Sequence, residues 1–215
     1  MKVIGINGSP RGTRSNTAVM LDALLQGFSS YGSETRQLRL SEKSIGPCKG
    51  CYSCWTSTPG RCVQDDDMRD ILADLRDVDI IVVGTPLYLN NVSGTTKTFF
   101  DRLTAAGGDP HATDAGGTAR RGPRYVMVSN CGNSNRSQFD IVSLWIRRVA
   151  AMVGSEVLAE FYTASGRVLT QPGDEQKESR DGYVRFLREC GSQLAQNQRL
   201  DQEHRDRLAS NVTDF

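Results

Sequence analysis

The pattern of apolar and polar positions switches repeatedly between a strand period and a helix period along this chain. Apolar runs or alternating stretches predict five strands, at residues 2–7, 34–40, 79–84, 124–129 and 156–163. Apolar residues spaced three and four apart predict a helix after each strand, at residues 15–30, 65–75, 93–105, 138–153 and 175–196. Such alternation predicts a parallel sheet with helices on both faces.

Five parallel strands fit the α/β three-layer sandwich of flavodoxin-like proteins, with the strand order 2-1-3-4-5. We expect residues 1–200 to form this domain and residues 201–215 to form a polar C-terminal tail. Ligands of such sheets bind beyond the carboxyl ends of the strands, where the first and third strands diverge. The loops after the first, third and fourth strands are therefore candidates for a binding site.

The loop after the first strand, GSPRGTRSNT at residues 8–17, leads directly into a helix. A helix N-terminus offers free backbone N–H groups and a partial positive charge, which suit a phosphate. The loop matches neither the dinucleotide fingerprint nor the nucleoside-triphosphate fingerprint. The alternative is an ordinary turn in which Ser15 caps the helix. The side chains that could donate to a phosphate are Ser9, Arg11, Arg14, Ser15, Asn16 and Thr17.

Two further loops could contact a ring system. Residues 85–91 are predicted to be a loop after the third strand, and a flat, half-apolar ring would fit the segment TPLYLNNVSG at residues 85–94. The alternative there is simple packing by Leu87 and Tyr88. The loop NCGNS at residues 130–134 follows the fourth strand, which makes Cys131 and Gly132 candidate cofactor contacts. The alternative is a helix cap with a buried Cys131 thiol.

Four cysteines lie within one short segment with the spacing C-x2-C-x2-C-x7-C, at Cys48, Cys51, Cys54 and Cys62. Two-residue gaps let a tight turn direct successive sulfurs to one point, which is typical of a compact iron–sulfur ligand set. Two CxxC pairs separated by a long gap, the common zinc arrangement, fit less well. The alternative is a loop of free thiols or a redox disulfide.

Composition narrows the class of protein. The 215 residues suffice for one domain, and the formal net charge of +1 gives no sign of binding to nucleic acid or to an anionic membrane. We find neither an apolar run long enough to span a bilayer nor a signal peptide, and we expect a cytoplasmic protein. In that compartment clustered cysteines indicate metal or redox chemistry. Neither of the two histidines, His111 and His204, lies in a triad-like pattern.

These segments together resemble the NADPH-dependent FMN reductase family of flavodoxin-like proteins, from residue 1 to about residue 165. GSPRGTRSNT resembles the phosphate loop of that family, and TPLYLNNVSGTTKTFFDRL resembles the segment that runs under the flavin. PCKGCYSCWTSTPGRCVQDDDM resembles the cysteine insertion of the iron–sulfur flavoprotein branch, although the gap before Cys62 is at the long end for that motif.

The resemblance implies bound FMN, reduced by NAD(P)H, and a 4Fe–4S cluster on the four cysteines. The FMN phosphate would be held by Ser9, Arg11, Ser15, Asn16 and Thr17. The isoalloxazine ring would contact Pro86, Leu87, Tyr88 and Asn90. No side chain needs to act as an acid or a base in this chemistry, which agrees with the scarcity of histidine.

We therefore expect an FMN-dependent NAD(P)H oxidoreductase of the flavin or quinone reductase type, with a small-molecule electron acceptor. One alternative is an iron–sulfur electron carrier that passes electrons from a ferredoxin-like partner to FMN. Another is a flavodoxin-like module without a cofactor that acts through protein contacts. We also expect a homodimer or homotetramer. The loop at residues 107–122 is unusually long, and proteins of this family often complete the flavin pocket with a neighbouring subunit.

Overall fold

The computed structural model describes residues 1–107 and 122–215 and contains a parallel five-stranded sheet with one short added strand. The long loop predicted at residues 107–122 falls almost entirely outside the described residues. Neighbouring strands in the sheet follow the order β2-β1-β3-β5-β6, so the five parallel strands have the predicted order 2-1-3-4-5. The strands are β1 (Lys2–Asn7), β2 (Glu34–Arg39), β3 (Ile80–Tyr88), β4 (Asn91–Val92), β5 (Arg124–Asn130) and β6 (Val157–Thr163).

Helices cover both faces of the sheet, as the alternating pattern predicted. Residues along β3 alternate between the two apolar layers, since Ile80 and Val82 face one layer and Ile81 and Val83 face the other. The first layer is closed by α1 and α6, and the second by α2, α3 and α5. The helices are α1 (Asn16–Ser30), α2 (Met68–Asp74), α3 (Gly94–Arg102), α4 (Thr104–Gly107), α5 (Asp140–Met152), α6 (Lys177–Asn197) and α7 (Gln202–Asp206).

The loop predicted at residues 85–91 was wrong in part, because β3 continues to Tyr88. Its pairing with β5 extends as far as Pro86 opposite Asn130, and Leu87 then pairs with Val92 of β4. Leu89 and Asn90 make the tight turn between β3 and β4, with φ angles of +48° and +60°. A proline at residue 86 and the turn residues that follow concealed this extension, in which Thr85 and Pro86 pair with β5 and Leu87 and Tyr88 pair with β4.

Residues 201–215, predicted as a polar tail, contain α7 and two further helical turns that pack against α6. Val212 is fully buried, and the Phe215 ring contacts the Tyr183 ring at a centroid distance of 5.2 Å. The Arg207 guanidinium lies 4.1 Å from the centre of the Phe215 ring. Apolar residues are too sparse in this segment to show a period. Among all the described helices, none is both long and apolar enough to cross a membrane.

Candidate functional site

The carboxyl ends of β1 and β3 are joined through the backbone of Gly8. Its N–H donates to the Gly84 carbonyl oxygen at 2.7 Å, and its own carbonyl oxygen accepts from the Ser93 hydroxyl at 2.7 Å. A Cβ atom at Gly8 would lie 1.8 Å from the Thr96 hydroxyl oxygen, so only glycine fits here. The loop after β1 is thus held directly against the start of α3.

A buried group of hydroxyls stabilises this junction. Thr85, Ser93 and Thr96 are each at most 1% exposed. The Ser93 N–H and the Thr96 hydroxyl both donate to Thr85 Oγ1 at 3.0 Å, and the Ser129 hydroxyl donates to the Thr85 carbonyl oxygen at 2.8 Å. Buried polar groups that are all paired make a junction rigid. These hydroxyls were not predicted from the sequence, although several serines and threonines around the end of β3 were the available signal.

The loop at residues 8–17 is shaped for an anion by its own hydrogen bonds. Ser15 caps α1, since its Oγ accepts from the Ala18 N–H at 3.0 Å and donates to the Gly12 carbonyl oxygen at 2.7 Å. The N–H groups of Asn16 and Thr17 precede that bond and have no acceptor within the helix. The Ser15 hydroxyl therefore organises the loop, and the backbone of the first turn supplies donors beside it.

Three other residues that were predicted to contact the phosphate, Ser9, Asn16 and Thr17, each keep a free hydrogen-bond donor in this loop. The Ser9 hydroxyl oxygen accepts from the Arg11 N–H at 3.3 Å, which leaves its own proton available. Asn16 Oδ1 accepts from the Thr170 hydroxyl at 2.6 Å, and Thr17 Oγ1 accepts from Asn130 Nδ2 at 3.0 Å. Neither Asn130 nor Thr170 was predicted to contact this loop, because these bonds join residues more than one hundred positions apart.

Cationic side chains lie beside these donors. Arg11 and Arg14 are exposed, and neither takes part in an ion pair with another described residue. Two unpaired guanidinium groups next to a helix N-terminus create a local positive potential. The arrangement fits a phosphate by the chemistry of its donors, and of these side chains Arg11 and Arg14 are the exposed ones, whereas Ser9, Ser15 and Thr17 are buried.

The predicted ring contacts divide into buried and exposed residues. Pro86 and Leu87 are buried within β3, whereas Tyr88 is 46% exposed and Asn90 is exposed in the turn that follows. After β5, Cys131 is buried and its thiol donates to the Asn133 carbonyl oxygen at 3.3 Å, while Gly132 is exposed with open space around it. Burial raises the pKa of the Cys131 thiol. Tyr88, Asn90 and Gly132 are thus the members of this set that a ligand can reach directly.

Hydrogen bonds hold together the two ends of the cysteine-containing loop, residues 47–63. We call these bonded ends, Ser44, Gly46, Asp66 and Asp67, the loop neck. The Ser44 N–H donates to Asp67 Oδ2 at 2.7 Å, and the Asp67 N–H donates back to the Ser44 carbonyl oxygen at 3.1 Å. The Gly46 N–H donates to Asp66 Oδ2 at 3.1 Å. The two ends of the loop are therefore tied together beside the beginning of α2.

A buried arginine on α3 fastens this neck to the domain. Arg102 is 1% exposed, and its two terminal nitrogens donate to the Asp66 carboxylate at 2.6 and 2.9 Å. One of them also donates to the Gly46 carbonyl oxygen at 2.8 Å. The Arg102 guanidinium is the main reason that the pKa of Asp66 lies below its usual value. Neither Asp66 nor Arg102 was predicted to have this role, since residue 66 was placed in the predicted helix at residues 65–75, which in the structure begins only at Met68.

The four clustered cysteines share this loop without forming a metal cage. Cys48 and Cys51 are exposed, whereas Cys54 and Cys62 are half-buried against the apolar layer beneath α3 and α5. Across residues 1–107 and 122–215, no three His, Cys, Asp or Glu side chains are gathered closely enough to hold a metal ion. A hydrogen bond with the Ser53 side chain lowers the pKa of the Cys51 thiol, and burial raises that of Cys54.

Comparison with known proteins identifies the family. The profile of the NADPH-dependent FMN reductase family matches residues 1–157. The chain belongs to this family. An iron-sulfur flavoprotein of Archaeoglobus fulgidus is 38% identical to this FMN reductase family member over 110 residues, which is 51% of this chain and 49% of that protein. An FMN-dependent NADH:quinone oxidoreductase of Stenotrophomonas maltophilia is 29% identical over 102 residues, 46% of this chain and 52% of that protein.

The chain thus matches only about half the length of these curated relatives. Among solved structures, an FMN-dependent NADH-azoreductase of Bacillus anthracis in complex with FMN aligns with a TM-score of 0.64 at 18% identity. That alignment covers 91% of this chain and 100% of the azoreductase chain. It confirms the flavodoxin-like fold that the order of strands and helices predicted.

The Arg102–Asp66 pair predicts a local, pH-dependent contribution to stability. Asp66→Asn should lower the free energy of unfolding by roughly 3 kcal/mol at pH 7, because it leaves a buried guanidinium without its carboxylate. The lowered pKa of Asp66 means that the pair stabilises the fold above the ordinary Asp pKa. The difference in the free energy of unfolding between wild type and Asp66→Asn should therefore shrink as the pH falls through the pKa of Asp66 in the folded protein. Urea unfolding between pH 7 and pH 3 measures this.

The neighbouring residue Asp65 provides the matched control. Its carboxylate is 86% exposed and pairs with Arg69 one helical turn away. Asp65→Asn should therefore lower the free energy of unfolding by less than about 1 kcal/mol. Equal losses of stability in the two variants would contradict the assignment of Asp66 as the carboxylate that holds the loop neck.

Proposed function

We propose that this chain is an FMN-dependent oxidoreductase that takes electrons from NAD(P)H and delivers them to a small-molecule acceptor. The observation that carries the proposal is the anion-accepting first turn of α1, held against the end of β3 by Gly8. FMN has a single terminal phosphate, and this loop lacks the dinucleotide fingerprint. Membership of the NADPH-dependent FMN reductase family supports the same cofactor and electron donor.

The residues of this chain would bind and orient the flavin. Ser9, Asn16 and Thr17 would donate to the phosphate, Arg11 would supply charge, and Ser15 would keep the turn in shape as the α1 cap. Tyr88 and Asn90 would contact the ring from the β3–β4 turn, with Pro86 and Leu87 beneath them and Cys131 and Gly132 at the neighbouring strand end. Bound FMN supplies the redox chemistry, and the protein supplies position and electrostatics.

Arg11 offers a direct test of the phosphate contact. Arg11→Ala should weaken FMN binding by roughly 1.5–3 kcal/mol, the scale of a charge-assisted hydrogen bond. Quenching of FMN fluorescence measures the affinity. Arg76→Ala is the control, because Arg76 is also exposed but lies just before β3, at the opposite edge of the sheet. An unchanged affinity in the Arg11 variant would remove this residue from the site.

We also propose that Cys48, Cys51, Cys54 and Cys62 hold a 4Fe–4S cluster. Four sulfur donors in a compact spacing fit iron chemically, and the metal-independent neck keeps them together in one loop. The name and the 38% identity of the Archaeoglobus relative support this. Since the sulfurs are not gathered, binding would require the loop to draw them together. Assembly would therefore change the loop and leave its neck in place.

The same loop supports a second candidate function, an electron carrier served by a ferredoxin-like partner. Cys48 and Cys51 are exposed, so a protein partner could approach the sulfur side of the loop. The loop is also attached near α3, because the Trp55 indole N–H donates to the Thr104 carbonyl oxygen at 2.8 Å. Electrons could then pass between a cluster and a flavin at the same edge of the sheet.

A homodimer or homotetramer is part of the proposal. Three apolar side chains on α5, Ile141, Leu144 and Met152, are 53%, 58% and 85% exposed. Exposed apolar side chains grouped on one helix are typical of surfaces that another chain covers. Light scattering at micromolar concentration tests this, and a monomer would count against it.

Anaerobic reduction distinguishes the two functions. Mixing the FMN-loaded protein with NADPH, and separately with NADH, should bleach the flavin absorption band rapidly with at least one of the two donors. This result supports the reductase. Bleaching only by a reduced ferredoxin would favour the electron carrier. A protein that binds no FMN would contradict both functions and leave the module without a cofactor.

A further inference from the structure

The half-buried residue Thr170 links the C-terminal part of the chain to the anion-accepting turn of α1. Its hydroxyl donates to Asn16 Oδ1 at 2.6 Å, although 154 positions separate the two residues. Asn16 is the first residue of α1 and is itself half-buried. Thr170 lies beyond residue 157, where the match to the FMN reductase family ends. The bond is therefore a feature of this chain that the matched part of the family does not contain.

The fold holds Thr170 at a fixed place beside α1. It directly follows the helical turn Gly166–Leu169, whose last residue is 1% exposed within the apolar layer closed by α1 and α6. At the start of this turn, the Gly166 N–H donates to the Cys131 carbonyl oxygen at 2.8 Å. At its end, the Thr170 N–H donates to the Arg167 carbonyl oxygen at 3.2 Å. The Thr170 hydroxyl is thus anchored both to the core and to the loop after β5.

The bond from Thr170 determines which end of the Asn16 amide is available to a ligand. An asparagine amide has one acceptor oxygen and one donor NH2 group, and rotation about its last torsion exchanges them. Because Oδ1 accepts from Thr170, Nδ2 is directed away from Thr170, and it has no acceptor among the described residues. A phosphate dianion would be repelled by the oxygen but would accept a hydrogen bond from the NH2 group.

We propose that Thr170 is a positioning residue, whose hydroxyl turns the NH2 group of Asn16 toward the phosphate of FMN. This inference rests on the phosphate site proposed above. It assigns the effect to the hydroxyl of Thr170 and not to the bulk of its side chain, and it assigns the direct contact with the phosphate to Asn16.

Variants at residue 170 separate the hydroxyl from the bulk of the side chain. Thr170→Val keeps the shape and should weaken FMN binding roughly fivefold to tenfold, the scale of one hydrogen bond. The affinity for riboflavin, which has no phosphate, should stay at the wild-type value. Thr170→Ser keeps the hydroxyl and should retain the wild-type affinity for FMN. Thr213→Val is the matched control, since Thr213 is exposed and its hydroxyl bonds only to the adjacent Asp214 among the described residues.

A double-mutant cycle tests whether Thr170 acts through Asn16. Asn16→Ala should weaken FMN binding, and adding Thr170→Val should then weaken it no further. Additive losses would overturn the inference, and so would a Thr170→Val variant that keeps the full wild-type preference for FMN over riboflavin. In both cases the phosphate site itself would stand. Equal affinities of the wild type for FMN and riboflavin would contradict the phosphate site and this inference together.

A measurement on the wild-type protein does not depend on how the variants at residue 170 fold. In protein labelled with 15N-asparagine, the side-chain amide signals of Asn16 are identified by their absence from Asn16→Ala. One of these amide protons should lie further downfield with bound FMN than with bound riboflavin, because only FMN brings a phosphate acceptor. The same position in the two complexes would overturn the inference.

Discussion

The whole site depends on the close approach of the Gly8 backbone to the Thr96 hydroxyl at the start of α3. There is no room for a side chain at residue 8, and the hydrogen bonds to Gly84 and Ser93 fix the backbone there. This contact holds the anion-accepting turn of α1 at a set distance from the β3–β4 turn. In our proposal the two turns contact the phosphate and the ring of one elongated cofactor, and contacts that are already aligned lower the entropic cost of binding it.

Helix α3 connects this junction with the cysteine loop. Ser93 and Thr96, at its beginning, hold the loop after β1, and Arg102, at its end, holds the neck of the cysteine loop through Asp66. With nine residues, α3 is only about 13 Å long. One short, rigid element therefore positions both candidate sites, which explains how the loop after β2 stays close to the carboxyl ends of β1 and β3.

The sequence predicted those features of the fold that depend on local patterns of apolar and polar residues. Alternation between the strand and helix periods was enough to give the five parallel strands and their order, because right-handed crossover connections leave few other arrangements. The end of β3 was missed, since its pairing partners Asn130 and Val92 lie elsewhere in the chain while its own residues resemble a loop. Bonds between distant residues, such as Asn130 to Thr17 and Arg102 to Asp66, leave no periodic trace. For the cysteines, the spacing predicted sulfurs directed to one point, whereas the described residues share a loop without gathering their sulfurs.

We propose that the turn at the start of α1 is a phosphate site for FMN, and the affinity for riboflavin relative to that for FMN is the sharpest test of this proposal. The two ligands share the isoalloxazine ring and differ in the phosphate, so ring contacts cancel in the comparison. We predict one FMN per chain, bound roughly a hundredfold more tightly than riboflavin, because riboflavin lacks the dianion that charge-assisted hydrogen bonds would hold. Equal affinities for FMN and riboflavin would contradict it.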